Sequence, residues 1–264
     1  FFVWNCPYLD VLNSQEYMDI ANTFNKENYL YNKKQYPYGS LPYDGKWTPL
    51  FSESDKARAS TTNWKDYVLN QGYITKHNIT ISGGTSKIKY YLGGGYLDQN
   101  GTVSKSGMTK YTFRGNLTLE LFPFLNLSSS FSANQNIYSN CMVGTDTGNR
   151  GNVAGSALNS ALLYPPYLSL KQKDDTYTIF KSIPNPKAME DINDKTKEQG
   201  YNLNFIANLK LYKDMFSLKG IYGMNQENMR RSIFIPSDVY FSRMYKSRGN
   251  IQSDRRLTQT LEVM

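Results

Sequence analysis

Apolar and polar positions alternate with a period of two over much of the chain. In residues 74–99, His77, Ile79 and Ile81 share one face and Asn78 and Thr80 the other. After Ser82-Gly83-Gly84-Thr85-Ser86, Ile88, Tyr90, Leu92, Gly94 and Tyr96 oppose Lys87, Lys89, Tyr91, Gly93 and Gly95. Successive strand side chains point to opposite faces, and glycine supplies the backbone freedom a short connection needs, so this stretch predicts a hairpin. The pattern recurs at 108–122, where Tyr111, Phe113, Gly115, Leu117, Leu119 and Leu121 oppose Lys110, Thr112, Arg114, Asn116, Thr118 and Glu120. It returns at 125–134, 201–211 and 216–227, and in a last strand from about residue 254.

Between the strands, connections near 83–86, 123 and 213–214 are tight, whereas 98–107, 139–199 and 231–253 are long. They alternate, so an up-and-down meander gathers all the short turns at one end and all the long loops at the other. A membrane barrel has this asymmetry, and its strands exceed the ~5–6 residues usual in globular sheets. The expected fold is all-β: an up-and-down antiparallel transmembrane β-barrel, here a partial, open sheet with long extracellular loops. A soluble sandwich would bury the same apolar faces. Alternation alone does not separate the two; strand length and turn asymmetry favour the barrel.

A few short helices are expected ahead of the hairpin. Asn13 with Glu16 forms a capping-box pattern for a helix over 14–25. Residues 53–59 and 62–69 suggest further helical turns, 153–163 suggests another, and 28–52 and 1–11 carry no regular period. Residues 1–264 read as part of the early portion of a barrel domain, a piece of something longer, with 139–199 a long extracellular insertion.

Composition narrows the chemistry. The net charge of +8 invites a polyanion, but the basic residues are scattered with no run longer than two, so no nucleic acid is expected. No apolar run approaches the ~18 residues a membrane helix needs, which says nothing against strands that cross a membrane. Cys6 and Cys141 have no metal spacing, and their pairing is open. His77 is the single histidine, and no nucleophile–base grouping or phosphate loop is present, so the chain is not expected to be an enzyme. Gly144-Thr145-Asp146-Thr147-Gly148-Asn149 has too few carboxylates for calcium, and neither metal nor cofactor is expected.

Several segments resemble one family. Thr62-Asn63-Trp64-Lys65-Asp66-Tyr67, His77-Asn78-Ile79-Thr80-Ile81-Ser82-Gly83-Gly84-Thr85, Gly95-Tyr96-Leu97-Asp98-Gln99-Asn100-Gly101 and Tyr111-Thr112-Phe113-Arg114-Gly115-Asn116 run in the order found in SusC/RagA-like TonB-dependent transporters. Leu12-Asn13-Ser14-Gln15-Glu16-Tyr17 resembles the helix start that precedes them. The resemblance implies a 22-stranded outer-membrane barrel of a Gram-negative bacterium with an N-terminal plug. It also implies energy from a TonB complex through that plug, a SusD-like surface lipoprotein as lid, and an oligosaccharide or peptide ligand. The alternative is a soluble all-β surface glycan-binding module.

Loop aromatics are the candidate ligand contacts: Tyr164, Tyr167, Tyr240 and Phe241 above all, with Tyr177, Phe180, Phe234 and Tyr245 beside them. Tyr73, Tyr96, Tyr111 and Tyr201 are expected in aromatic girdles against outer-membrane lipid. Lys87, Lys89, Lys110, Arg114 and Lys219 are expected to face the lumen, with Glu120 a candidate partner.

Overall fold

The computed structural model describes residues 2–4, 10–140, 157–181, 183–212, 215–237, 239 and 250–263. Eight strands form one sheet in sequence order: β1 (Phe2–Trp4), β2 (Gly72–Gly84), β3 (Ile88–Asn100), β4 (Gly107–Phe122), β5 (Leu125–Ser139), β6 (Asn193–Leu211), β7 (Phe216–Ile235) and β8 (Asn250–Val263). Every neighbouring pair is antiparallel. The helices are α1 (Ser14–Asn32), α2 (Glu53–Arg58), α3 (Trp64–Val68) and α4 (Ala157–Leu163), with a 3-10 turn at Ala188–Asp191.

The expected asymmetry holds and gains a member. Connections 85–87, 123–124 and 212–215 lie at one end, and 101–106, 140–192 and 236–249 at the other. The short β1 pairs with the start of β2, so residues 5–71, with three helices, form another long connection at that second end, here called the top. β6 begins at Asn193, eight residues before the apolar alternation resumes at Tyr201, and β7 runs on to Ile235. Phe234 therefore sits on a strand, not in a loop. The 213–214 turn and both cysteines fall outside the described residues.

Register separates the faces. One cross-strand row joins Ile81, Leu92, Gly115, Phe131, Leu203 and Met224, and runs on to Leu261 of β8. The adjacent row joins Ser82, Tyr91, Asn116, Ser130, Asn204 and Gly223 on the other face. The apolar face is uncovered: Ile79 is 68% exposed, Leu218 62%, and Leu117 and Phe205 40% each. A soluble sandwich would bury these side chains against a second sheet, and no second sheet exists among the described strands. A patch this large marks an interaction surface, of the kind that a membrane covers.

The upper edge of the belt is aromatic and slanted. His77, Tyr96 and Tyr111 share a row, their rings 6.3 and 5.3 Å apart. Tyr201 lies two residues lower in the register and Tyr222 six residues lower. The descent is uneven: none from β2 to β4, two residues by β6 and six by β7.

The buried core lies among the top connections. Trp64, Val68, Ala157, Ala161, Tyr164, Met189 and Ile192 pack together with Ile233 of β7 and Val239. Hydrogen bonds tie three connections into one roof: Thr62 N–H to Pro166 O (2.7 Å), Asn70 N–H to Thr102 O (2.9 Å) and Ser104 N–H to Val68 O (2.9 Å). α1 starts at the expected capping box, with Glu16 N–H to Asn13 Oδ1 at 3.0 Å and Asn13 N–H to Glu16 Oε2 at 2.9 Å. It outlasts the expected 14–25 because its buried stripe, Met18, Asn22 and Leu30, contains an asparagine. Asn22 exchanges two hydrogen bonds with the Phe51 backbone (2.8 and 2.9 Å), so a polar residue occupies a core position fully satisfied.

Candidate functional site

Inside the sheet the wall is polar, and at β3 it is stripped of side chains. Gly93 pairs with Arg114, Gly95 with Thr112 and Leu97 with Lys110, while Lys76 faces Leu97 from β2. A recess of about 480 Å³ forms there, lined by Lys76, Asn78, Tyr91, Lys110, Thr112 and Arg114. The glycines make it. A Cβ on Gly95 would stand 2.6 Å from Thr112 Oγ1 and 2.8 Å from Asn78 Oδ1, and one on Gly93 would meet the Tyr91 hydroxyl at 2.9 Å. Toward β5 and β6 the same face continues with Ser128, Ser130, Ser132, Asn202, Asn204 and Asn208, groups that offer both donors and acceptors.

Lys110 and Arg114 face inward as expected, and Lys76 joins them. None of the three forms an ion pair with a carboxylate among the described residues. Glu120 pairs in register with Asn126 at the short-turn end, away from them. The arrangement suits a hydrated solute or an anionic group from another part of the protein.

At the top of β6 a bidentate ion pair braces the inner wall. Arg231 Nε donates to Asp194 Oδ1 at 3.0 Å and its terminal nitrogen to Oδ2 at 2.6 Å; the Asp194 side chain is wholly buried. Asn140 Nδ2 adds bonds to Asp194 Oδ1 (3.2 Å) and Thr196 Oγ1 (3.0 Å), joining the end of β5 to β6. Asp194 is buried but Arg231 is partly exposed, so removing the carboxylate costs less than the ~3–5 kcal/mol of a fully buried pair. Asp194→Ala is therefore expected to raise amide exchange across the tops of β5–β7 while leaving the lower wall protected, a pattern that hydrogen-exchange mass spectrometry reads directly.

The roof holds the loop aromatics. Tyr164 is 3% exposed. Its ring packs edge-on against Trp64 at 4.7 Å and against Phe180 at 6.0 Å, and its hydroxyl donates to the Thr178 carbonyl. Burial pushes the phenol up to about 12, so it remains a protonated donor. Tyr164 thus supports the roof and offers no free ring face. Tyr167 is half-buried, with ring contacts to Tyr17 (5.7 Å) and Phe51 (5.2 Å); burial first, and then the neighbouring Tyr17 phenol, push its pKa up and keep it protonated. Tyr177 donates to Asp191 at 2.6 Å. Tyr240, Phe241 and Tyr245 lie outside the described residues.

Next to Tyr164, a cleft of about 680 Å³ opens between α1, α3 and α4, lined by Leu12, Tyr17, Trp64, Leu162 and Leu163. Trp64 and Tyr17 were legible only as helix starts; their meeting with 162–164 depends on contacts between segments about a hundred residues apart. Among the described residues no cluster of His, Cys, Asp and Glu is placed to hold a metal.

No protein-family profile matches the chain. Curated relatives do. TonB-dependent receptor P3 of Formosa agariphila is 27% identical over 194 residues, covering 72% of this chain and 19% of the relative. TonB-dependent receptor SusC of Bacteroides thetaiotaomicron is 27% identical over 121 residues, covering 45% of the chain and 11% of the relative. The chain therefore spans about a fifth or less of these relatives. Among solved structures, the RagAB peptide transporter matches with a TM-score of 0.64 over 98% of this chain and 30% of that one, at 16% identity. The RagAB peptide importer in its closed-closed state matches with a TM-score of 0.60 over 96% and 29%, also at 16% identity. At that identity the match carries the fold alone: a section of antiparallel β-barrel wall.

Proposed function

We infer that this chain, a relative of the TonB-dependent receptors of the SusC type, is an early section of barrel wall in a Gram-negative outer membrane, and that the complete protein imports a large polar nutrient. Residues 1–264 form part of the barrel domain, and the connection between β5 and β6, residues 140–192, is an extracellular loop whose described residues pack into the roof. The observation that carries this reading is the two-faced sheet: an uncovered apolar row outside and serine, asparagine and cationic side chains inside. That wall suits passage of a hydrogen-bonding oligomer, an oligosaccharide or a peptide. Energy comes from a TonB complex acting through a plug.

A SusD-like lipoprotein covers the top. In support, α1 presents Ile20 (54% exposed), Phe24 (67%) and Tyr31 (66%, touched edge-on by Tyr38) outward, apolar groups left largely open among the described residues. Phe24→Asp is expected to weaken co-purification of the lipoprotein with the intact transporter at least several-fold, without altering heat-modifiable migration of the barrel. Ligand contact falls to Tyr167 and, from the sequence, Tyr240 and Phe241, with Tyr164 bracing the roof.

The test is nutrient uptake by cells whose gene for the full protein is deleted and then restored. Growth on one oligosaccharide or peptide pool should disappear with the gene and with TonB, and return with the gene. Recovery of the protein in the soluble fraction, or uptake indifferent to TonB, would sink the proposal and favour the soluble glycan-binding module.

A further inference from the structure

Above the aromatic edge, the outward face of β6 and β7 turns cationic. Lys195 and Lys197 continue the face that carries Tyr201, Leu203 and Phe205 lower down, and Arg230 stands directly opposite Lys197. The register extends that row to Arg255 on β8. All three described cations are exposed, and none makes an ion pair among the described residues. Like charges directly opposite across strands destabilise a sheet. Yet the outward positions above the belt on β5–β7 are Gln135, Ile137, Ser139, Asn193, Gln199, Gln226, Asn228, Ser232 and Phe234, with no carboxylate. The acids of these strand tops, Asp194, Glu198 and Glu227, stand on the inner face. Among the described outward positions of these three strands, nothing offsets the three cations, which leaves them open to an external anion.

We propose that this face binds the phosphates of the glycolipid that forms the outer leaflet. The inference rests on the outer-membrane placement given above. The cations stand on the same face as the lipid-facing belt and beyond its aromatic edge, Lys197 four residues above Tyr201, about 13 Å along the strand. That is headgroup height, within reach of long side chains that extend toward an interface. Arginine and lysine are the usual partners of phosphate oxygens, arginine through paired bonds. Beside Lys195 a recess of about 670 Å³ opens on the same upper side, bordered by Thr109, Ile137, Ser139 and Phe234. Three carboxylates also line it, each already engaged: Asp98 accepts from Thr109 Oγ1 at 3.1 Å, Asp191 from the Tyr177 hydroxyl at 2.6 Å, and Asp194 is paired with Arg231, which leaves Lys195 as the group that meets a phosphate. Neutral hydroxyls and one aromatic edge suit the sugar that bears the phosphate.

The experiment compares the full-length protein with a K195Q/K197Q/R230Q variant, both reconstituted in nanodiscs of neutral phospholipid doped with bisphosphorylated lipid A or with its phosphate-free counterpart. At about 1 kcal/mol per cation near an anionic surface, the variant should lose about tenfold or more in lipid A affinity. The phosphate-free glycolipid should bind the two proteins equally weakly. K197Q alone, a milder change, should lose about fivefold and serves if the triple variant does not fold. A K76Q/K110Q/R114Q control on the inner face should bind as the wild type does. Unchanged lipid A affinity in the outward variants, equal loss in the inner-face control, or a loss of partner protein in place of lipid would each overturn the proposal. Recovery of the wild type in the outer-membrane fraction checks the placement separately.

Discussion

Leu203→Arg in the full-length protein should destabilise the barrel by about 1–2 kcal/mol, whereas Asn204→Arg, one residue on, should cost little. The cost lies between the midplane and interfacial penalties because Tyr201, at the aromatic edge, is only two residues above Leu203. Leu203 lies in the middle of the outward row, between Phe131 and Met224. An arginine there must reach across hydrocarbon to water, and the depth-dependent penalty is largest at the bilayer midplane. Asn204 belongs to the inner row with Ser130 and Gly223, where water solvates a guanidinium. The measurement is folding into lipid vesicles titrated with urea, read by heat-modifiable migration on a gel. Equal costs at the two positions would mean that the sheet has no lipid face. A sandwich would give a large cost at Leu203 too, but its folded state would not require vesicles, so omitting lipid distinguishes the cases.

Trp64→Ala should release the roof while leaving the wall intact. Trp64 is 3% exposed, its Nε1 donates to Pro165 O at 2.9 Å, and its ring contacts Tyr164 and Tyr67. Truncating a buried tryptophan costs about 3–5 kcal/mol, and the lost hydrogen bond adds about 1 kcal/mol. The energy is concentrated in contacts between 5–71 and 140–192, so both should become sensitive to external protease together. Trp64→Phe, keeping a ring and losing the donor, should show a smaller effect. Cleavage in one connection alone would mean that the roof is not a cooperative unit.

The wall was legible because its belt enforces a period of two. Wherever a strand leaves the belt, the apolar half of the pattern stops and the strand continues unread. Residues 193–200 alternate faultlessly, Asp194 and Thr196 inward against Lys195 and Lys197 outward, but polar against charged does not register as a strand. The top of β7 escaped for the same reason, and β1, at three residues, is too short for any period. The triple glycine 93–95 was visible, yet its consequence, bare backbone beside Arg114, exists only once the register with β4 is known. Tyr164 shows the converse limit. Sequence supplies an aromatic ring in a loop; whether it meets ligand or core depends on Trp64, a hundred residues earlier, and on a carbonyl at Thr178.

The roof core joins Trp64 and Val68, which lead into β2, to Ile233 near the end of β7. Four hydrogen-bonded strands, β3 to β6, lie between them. In mechanical terms this is a truss: a brace across the upper rim of a panel otherwise held only edge to edge. Such a panel resists splaying and shearing at its braced rim and yields more readily at the rim closed by two- to four-residue turns. Load applied to this part of the wall should therefore be taken up as flexing of the lower rim, with the upper opening keeping its outline.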